Sequence, residues 1–500
     1  VTGVVFEDVN GNGRRDPGER GLSGVLVSNQ LHVIESGDDG RYQLDVTDDG
    51  AVVFVVKPPA YDLPLDDANL PRFYYIHRPG GSPPSHYAGV APTGEPPASV
   101  DFALIPSARR DTFEVVAFSD PQPRSHEEIG YIRDDVVAEL VGTDALFGIT
   151  LGDIMYDDLS LIERYNDVVA RIGTPFYNVP GNHDMNYDAP DDQHSLETYK
   201  RHYGPPYYAF EYGNVSFIVL DTVEWLGRKD EQDTGTGHYR GRLGDRQLEW
   251  IENYLRHVAK DRQIVLAMHI PLYCARVDDE HVNVVDRDRL FRLLDGRPVL
   301  AIAGHLHVFE YDLLDRAIGW DSESPFVQVT CASVSGSWWS GPKDARGIPT
   351  TDQRDGTPNG YHLFRFDPDG WRQHYRAAGR GDDYQLRISS PVGTVPSSGL
   401  DTTAVVVNVF AGWPEWTVEV SLDDGPSRPM NHVVRPDPYF ERVRNAHPDT
   451  YDGWIKTIAS GHIWISSLPE GLAAGTHHLS VVATNTHNRR FQASAVFEVD

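Results

Sequence analysis

FEVVAFSDPQ, residues 113–122, is an apolar run that ends abruptly in a carboxylate and an amide, and ALFGITLGDIMYD, residues 145–157, repeats the pattern with Gly-Asp. A short run of this kind, rich in Val, Ile and Phe, reads as a strand buried on both faces. Between the two lies HEEIGYIRDDVVAEL (126–140), which reads as a helix. Strand, helix, strand is the grammar of a parallel sheet. The alternation continues through LSLIERYNDVVARI (159–172), PFYNV (175–179), YYAFEY (207–212) and VSFIVLD (215–221). Leu248, Ile251, Leu255 and Val258 then make one apolar stripe on a helix expected near 244–260, and QIVLAMH (263–269) and PVLAIA (298–303) supply two more buried strands. An α/β sandwich fits this order.

Outward from this centre the grammar changes on both sides. GVVFEDV, GVLVSNQ, RYQLDV and AVVFVVK, all before residue 58, are short strand-like runs broken by Gly, Asp and Asn, as a small β sandwich requires. PGGSPPSHYAGVAPTGEPP (79–97) is rich in Pro and Gly and reads as an extended connection. After 381, AVVVNVF, WTVEVSL, HIWISSL, HHLSVVATNT and FQASAVFEVD suggest a second β sandwich. The expected organisation is therefore a β module over 1–106, a catalytic domain over 107–380 and a β module over 381–500. Trp413, Trp416, Trp454 and Trp464 are expected mainly to fill the last core, with a glycan-binding surface as the alternative.

Five hundred residues are more than one core usually covers, in agreement with three domains. No apolar run approaches the roughly 20 residues that span a bilayer. Lys and Arg total 44 against 74 Asp and Glu, a net charge of −30 that disfavours nucleic acid as a partner. Cys274 and Cys331 are the only cysteines, which excludes a disulfide framework and leaves open one bridge or two free thiols.

DVNGNGRRDPGE (8–19) places Asp8, Asn10, Asn12, Asp16 and Glu19 at positions 1, 3, 5, 9 and 12 of a calcium loop, with Gly13 at position 6 and Arg14 at position 7, where the backbone carbonyl is the ligand. Its flanks read as strands, so it resembles the calcium-stapled B-type repeats of Gram-positive surface proteins rather than an EF-hand. A structural calcium ion is expected here.

The chemistry sits where the central strands end, the position at which open α/β sheets place ligands. SDPQ (119–122), LGDIMYD (151–157), GNHD (181–184), MHIP (268–271) and GHLH (304–307) follow apolar runs in that order. These blocks resemble the calcineurin-like metallophosphoesterase family, whose motifs run Asp-x-His, Gly-Asp, Gly-Asn-His-Asp/Glu, His and Gly-His-x-His. The first block departs from it, with Gln122 in the usual His position; a minority branch also has Asp-x-Gln. The resemblance implies a four-layer α/β/β/α sandwich and two divalent ions (Mn, Fe, Zn or Mg). Asp120, Gln122, Asp153 and His307 would hold one ion, and Asp153, Asn182, His269 and His305 the other. Such a pair activates a bridging water for in-line attack on a phosphate monoester or diester. His183 is implied as a catalytic residue rather than a ligand, with Asp157 and Asp184 both open as the group that orients it.

The order of β module, metallophosphoesterase and β module is similar to that of bacterial exported members of the family, which implies a secreted, extracellular or periplasmic protein. The implied partner is a small phosphorylated substrate of the cell-envelope or nucleotide type. The alternative is a surface or glycan-binding protein with a degenerate phosphoesterase domain. Four stretches are candidates to line the cleft: 194–213, the CARVDD run after His269, 333–342 and 355–364. Within them Trp338, Trp339 and Tyr361 are candidates to stack on a base or sugar, and Arg276 to contact a phosphate.

Overall fold

The computed structural model describes residues 1–47, 50–228 and 238–500. Two sheets face each other at its centre. The first runs in the order Phe176–Val179, Phe147–Leu151, Phe113–Phe118, Gly360–Asp367, Gly370–Ala377. Its first three strands are parallel and the last two antiparallel. The second runs Tyr208–Tyr212, Val215–Val219, Gln263–Ala267, Val299–Ala303, Phe326–Thr330, Glu310–Leu314, with four parallel strands between antiparallel edges. The parallel strands are buried but for Glu114 and Gln263 near two of their starts, which is why their sequences are nearly continuous rather than alternating. Phe147 packs against Phe210 and Phe217 at ring distances of 5.4 and 5.1 Å, closing the space between the sheets.

Helices complete four layers. His126–Ile132 starts at Ser125, whose hydroxyl accepts the Glu128 N–H at 3.2 Å, and the helical path continues through a π turn, Arg133–Val137, to Leu140. It lies on the first sheet with Ile162–Val169. Gly244–Leu255 and Arg287–Leu294 cover the second, through the Tyr254–Ser216 hydroxyl pair at 2.6 Å and the Phe291–Phe326 ring contact. The Gly244 helix ends earlier than its apolar stripe suggests. Arg297 caps it by donating to the carbonyls of Leu255 and Val258, so Val258 is buried from a turn beyond the helix.

The flanking modules are two-sheet β structures, of short strands at the N-terminal end and, against expectation, with strands of up to 10 residues at the C-terminal end. The N-terminal sheets run Arg41–Gln43, Thr2–Glu7, Phe102–Pro106, Tyr61–Asp62 and Val33–Glu35, Leu26–Ser28, Ala51–Val55, Tyr74–His77. Because Phe102–Pro106 returns to pair with Thr2–Glu7, the Pro-rich run 79–97 is an excursion from this module rather than a tether between domains. It lies along the catalytic domain, where Ser85 and the His86 N–H donate to Asp188 and Tyr87 donates to Asp158. At the other end, one sheet orders Leu386–Ser390, Ala404–Val409, Ala459–Ser467, Asn431–Pro436, and the other has Gly475–Thr484 paired with Arg490–Val499. No described helix is long and apolar enough to cross a membrane.

Candidate metal centre

Loops leaving the C-terminal ends of both sheets' parallel strands meet at one place. Their backbones are strained there: Asp120, Gln122, Asp153, His305 and His307 all have φ between 39° and 75°, a left-handed region that costs non-glycine residues energy and that clusters at functional sites. Two motif glycines are required by close approach. A Cβ on Gly152 would stand 2.6 Å from the His269 ring, and one on Gly181 would stand 2.1 Å from the Asp153 nitrogen.

Three imidazoles are set in the same manner. His269 Nδ1 donates to the Leu151 carbonyl at 2.9 Å, His305 Nε2 to the His281 carbonyl at 2.9 Å, and His307 Nδ1 to the Gly336 carbonyl at 2.6 Å. Because a carbonyl only accepts, each ring in its neutral form presents the lone pair of its other nitrogen inward. His269 Nε2 lies 3.1 Å from Asp153 Oδ1, from Asn182 Oδ1 and from His305 Nδ1. His307 Nε2 lies 3.5 Å from Asp120 Oδ1. Ligand atoms of Asp153, His269 and His305 all fall within 4.8 Å of one another. Gln122 donates its amide N–H to Asp153 Oδ2 at 2.6 Å, while its Oε1 is buried without a partner. Converging lone pairs with an orphaned buried oxygen fit a divalent ion with nitrogen and oxygen ligands.

The charges show the same competition. Burial pushes Asp120 up to about 7, opposed by His269 and aided by Asp153. Burial would also raise Asp153, but His269 and His183 outweigh it and hold that carboxyl below the usual range. Conversely His269 is lifted to about 9, the Asp153 charge exceeding the penalty of burial. Burial and the neighbouring His269 push His305 down to about 3, and burial holds His307 well below its ordinary value.

His183 sits beside this cluster. Its backbone N–H donates to Asp153 Oδ1 at 2.9 Å and its Nδ1 is 2.5 Å from Asp157 Oδ1. Burial lowers its affinity for a proton, yet Asp153 and Asp157 raise it further. Asp184 instead braces the loops, accepting the N–H groups of Ile154, Met155 and Gly181 at 3.2, 3.1 and 2.9 Å. The ring-orienting contact therefore belongs to Asp157, and Tyr187 donates to the same carboxylate. Tyr156 stacks on His183 at 4.6 Å. Neither tyrosine stands out in the sequence, although Tyr156 lies within the LGDIMYD block.

Several expected cleft residues lie elsewhere. Tyr361 is buried on Gly360–Asp367 against Phe118, with its hydroxyl on Glu139. Trp339 turns inward and donates to the Pro121 carbonyl at 2.9 Å. Arg276 is paired with Glu310 and the Ala459 carbonyl, so its charge serves the junction with the C-terminal module. Residues 194–213 face the N-terminal module, with Tyr207 donating to the Gln30 carbonyl and Arg78 pairing with Glu197. Trp338 does reach the centre, but one ring face lies on His307 at 3.8 Å and 20°. It covers a candidate ligand instead of offering that face to substrate. Cys274 and Cys331 are buried free thiols. Of the tryptophans expected in the last core, Trp464 is buried, Trp416 packs against the core, and Trp413 stacks on Tyr311. Trp454 is 49% exposed and belongs to neither core nor sheet.

At the N-terminal loop the expected side chains converge. Asp8 accepts the N–H groups of Gly11, Asn12 and Gly13, Asn10 and Asn12 both donate to Asp16, and Glu19 accepts from Val9 and Asp16. Arg14 donates its N–H to the Asn12 side chain at 2.8 Å.

A four-layer α/β sandwich whose strand ends gather histidines and carboxylates defines a metal-dependent hydrolase scaffold. Three family models match in sequence order: N terminal of calcineurin-like phosphoesterase over 9–87, calcineurin-like phosphoesterase over 113–309, and C terminal of calcineurin-like phosphoesterase over 329–491. The chain belongs to the calcineurin-like phosphoesterase family. It is similar to the protein named "Probable glycerophosphodiester phosphodiesterase GpdQ" of Arcobacter nitrofigilis, 28% identical over 171 residues, 33% of this chain and 57% of that one. It is also similar to a "Probable cyclic nucleotide phosphodiesterase" of Rhodococcus erythropolis, 40% identical over 72 residues, 14% of this chain and 24% of that one. The matches thus span less than two thirds of either relative. Among solved structures, a purple acid phosphatase from yellow lupin (Lupinus luteus) seeds aligns with 72% of this chain and 69% of its own, at 12% identity and a TM-score of 0.37.

Proposed function

We propose that this chain hydrolyses phosphate esters at a two-ion centre, with a diester as the leading substrate class. The observation that carries the reading is the set of three imidazoles, each tied back to a carbonyl and turned toward Asp120, Asp153 and Asn182. Asp120, Gln122, Asp153 and His307 would hold one divalent ion, and Asp153, Asn182, His269 and His305 the other. Such ions supply a nucleophilic water at neutral pH and positive charge against the phosphoryl oxygens; nitrogen and oxygen donors of this kind suit Mn, Fe, Zn or Mg. The chain's own contribution is positional and protic. Asp157 fixes the His183 ring through Nδ1 and favours its protonated form, so Nε2 can stabilise phosphoryl charge or give a proton to the leaving oxygen. The diester preference is supported by the names of the two relatives.

The loop at 8–19 is proposed to hold a structural calcium ion, and the whole chain to work outside the cytoplasm, where calcium reaches the concentrations that extracellular loops require. The test is His183→Ala in the metal-loaded protein, with metal content read beside turnover of a diester and a monoester. Turnover should fall roughly 10²–10⁴-fold with both ions retained. Loss of an ion with the ring would make His183 a ligand and sink its assigned role. A wild-type protein inert on both esters would sink the activity itself.

A further inference from the structure

Two stacks of planar groups lead outward from the candidate centre, and the same corner of the C-terminal module closes both. On one side Trp338 lies flat on His307 at 3.8 Å, and Trp454 meets Trp338 at 4.3 Å and 71°. On the other, Tyr156 lies flat on His183 at 4.6 Å, the Arg124 guanidinium covers Tyr156 at 4.3 Å, and Arg124 reaches Asp452 at 3.1 Å. Asp452 and Trp454 are two residues apart. Trp454 is separated from His307 by Trp338, and Asp452 from His183 by Arg124 and Tyr156; both belong to a different module from every candidate ligand.

This corner is held firmly. Tyr451 and Ile455, on either side of it, are buried with Phe440. The Gly341 N–H donates to the Thr450 carbonyl at 2.9 Å, and Arg444 donates to the Ile455 carbonyl at 2.6 Å. Such anchoring fixes the backbone that carries Asp452 and Trp454, so less chain ordering is left to be lost on binding. The rings of the first stack differ in what they leave open. His307 is buried and Trp338 is covered by it on one face, whereas Trp454 is 49% exposed and stands steeply to Trp338. An indole exposed to that extent, on an anchored backbone and one ring away from a candidate metal ligand, is a surface for a flat group attached to the phosphate. Asp452, two residues before Trp454, pairs with Arg124 at 3.1 Å.

We propose that Trp454, supplied by the C-terminal module, is a specificity-determining residue of this active site and stacks on the planar base of a nucleoside phosphoester. The proposal rests on the phosphoesterase reading above and narrows its substrate class. Stacking on one aromatic ring changes affinity for a base by roughly 5- to 150-fold, and a substrate with a glyceryl group in place of the base has no flat face to lose.

The test uses the full-length, metal-loaded protein with adenosine 5′-monophosphate and glycerol 3-phosphate as probes, bound in calorimetry and read in parallel by quenching of tryptophan fluorescence. Trp454→Ala should weaken the adenosine compound about 10-fold and the glyceryl compound far less, and Trp454→Phe should recover most of the difference. Trp454→Leu, which keeps apolar bulk without a ring, should behave as Ala. Equal losses on both probes, no loss on either, or a Leu variant as good as Phe would overturn the proposal. Hydrolysis of bis(4-nitrophenyl) phosphate by the wild type is run as a separate arm. Absence of turnover there and on 4-nitrophenyl phosphate would refute the phosphoesterase reading, whereas activity on either with no base preference refutes only the role of Trp454.

Discussion

The two flanking modules join the catalytic domain with different balances of apolar packing and paired charge. The N-terminal seam is built on a shared apolar core, with the largely buried Arg78–Glu197 pair beside it: Phe73 meets Tyr208 and Tyr177 at 4.9 and 6.5 Å, Phe54 meets Trp250 at 6.2 Å, and one core runs through both domains. The C-terminal module keeps a core of its own, sends Phe410 and Ala411 into the central core, and adds buried polar pairs where it meets the catalytic domain. Arg387 reaches Asp352 at 2.9 Å, His462 reaches Asp355 at 3.0 Å, and Asn408 donates to the Asp355 carbonyl at 3.1 Å. Apolar burial is non-directional and fixes surfaces, whereas hydrogen-bonded charge fixes individual atoms. The directional seam is the one that runs under the site. Asp355 also accepts the Phe309 N–H at 2.9 Å, two residues beyond His307.

The comparison breaks most easily at Asp355. Asp355→Ala would leave His462 and the N–H groups of Phe309 and Thr357 without their buried acceptor. Removing one partner of a buried pair costs about 3–5 kcal/mol. Denaturant unfolding should show that loss, and kcat/KM should fall with it because the His307 loop loses an anchor. Full activity in a destabilised protein would show that the seam and the site are independent.

Lys57 probes the apolar seam. Its ammonium donates to the Glu211 carbonyl at 3.0 Å over the Tyr212 ring, and burial lowers its pKa from 10.5 to about 7 despite the nearby Asp62 and Glu211. Below pH 7 the folded state carries the whole cost of a buried charge. Between pH 7 and 10.5 the unfolded chain binds the proton more strongly, so stability rises with pH, and above 10.5 the penalty is gone. Lys57→Met should raise stability below pH 7 by on the order of 3 kcal/mol and flatten the rise between pH 7 and 10.5. An identical pH profile in wild type and variant would mean that the seam is wet.

A smaller effect is expected from calcium. An ion bound only by the folded loop stabilises it by about 2.7 kcal/mol at a hundredfold excess over its Kd. Because the N-terminal core is continuous with the catalytic one, the main melting transition should move with it, and Asp8→Ala should abolish the shift. A separate early transition that alone responds to calcium would divide the shared core.

The smallest change is expected at Gln122, in the half of the centre next to the charged seam. A neutral amide oxygen holds an ion less firmly than imidazole, so graded chelation should remove the ion at Asp120, Gln122 and His307 first. Gln122→His should tighten that site about tenfold, or ~1.4 kcal/mol. Simultaneous loss of both ions would mean that bracing by the seam, rather than ligand type, governs retention.

The amino-acid sequence by itself determined most of the elements of the central domain and proposed the candidate ligand types. Runs such as FEVVAFS and PVLAIA can be satisfied only by burial on both faces, and the polar tags after them are local facts of the chain. What it left open were pairings between residues far apart in the chain. Asp157 and Asp184 are equal candidates in sequence, and only the folded backbone gives three N–H groups to Asp184 and the His183 ring to Asp157. Trp338 and Tyr361 are both plausible platforms until the sheet buries Tyr361 and the strained turn at 338–339 lays Trp338 on His307. The Pro-rich run at 79–97 looks like a tether because its composition carries no record of the strand after it returning to the first sheet. Trp454 reads as core filler because nothing near it in sequence announces Arg124 or Trp338. Burial pattern and ligand chemistry are properties of short segments and survive in sequence. Which polar group meets which, and which aromatic face is left bare, depend on how modules dock, and that is decided only when their cores and charges pack together.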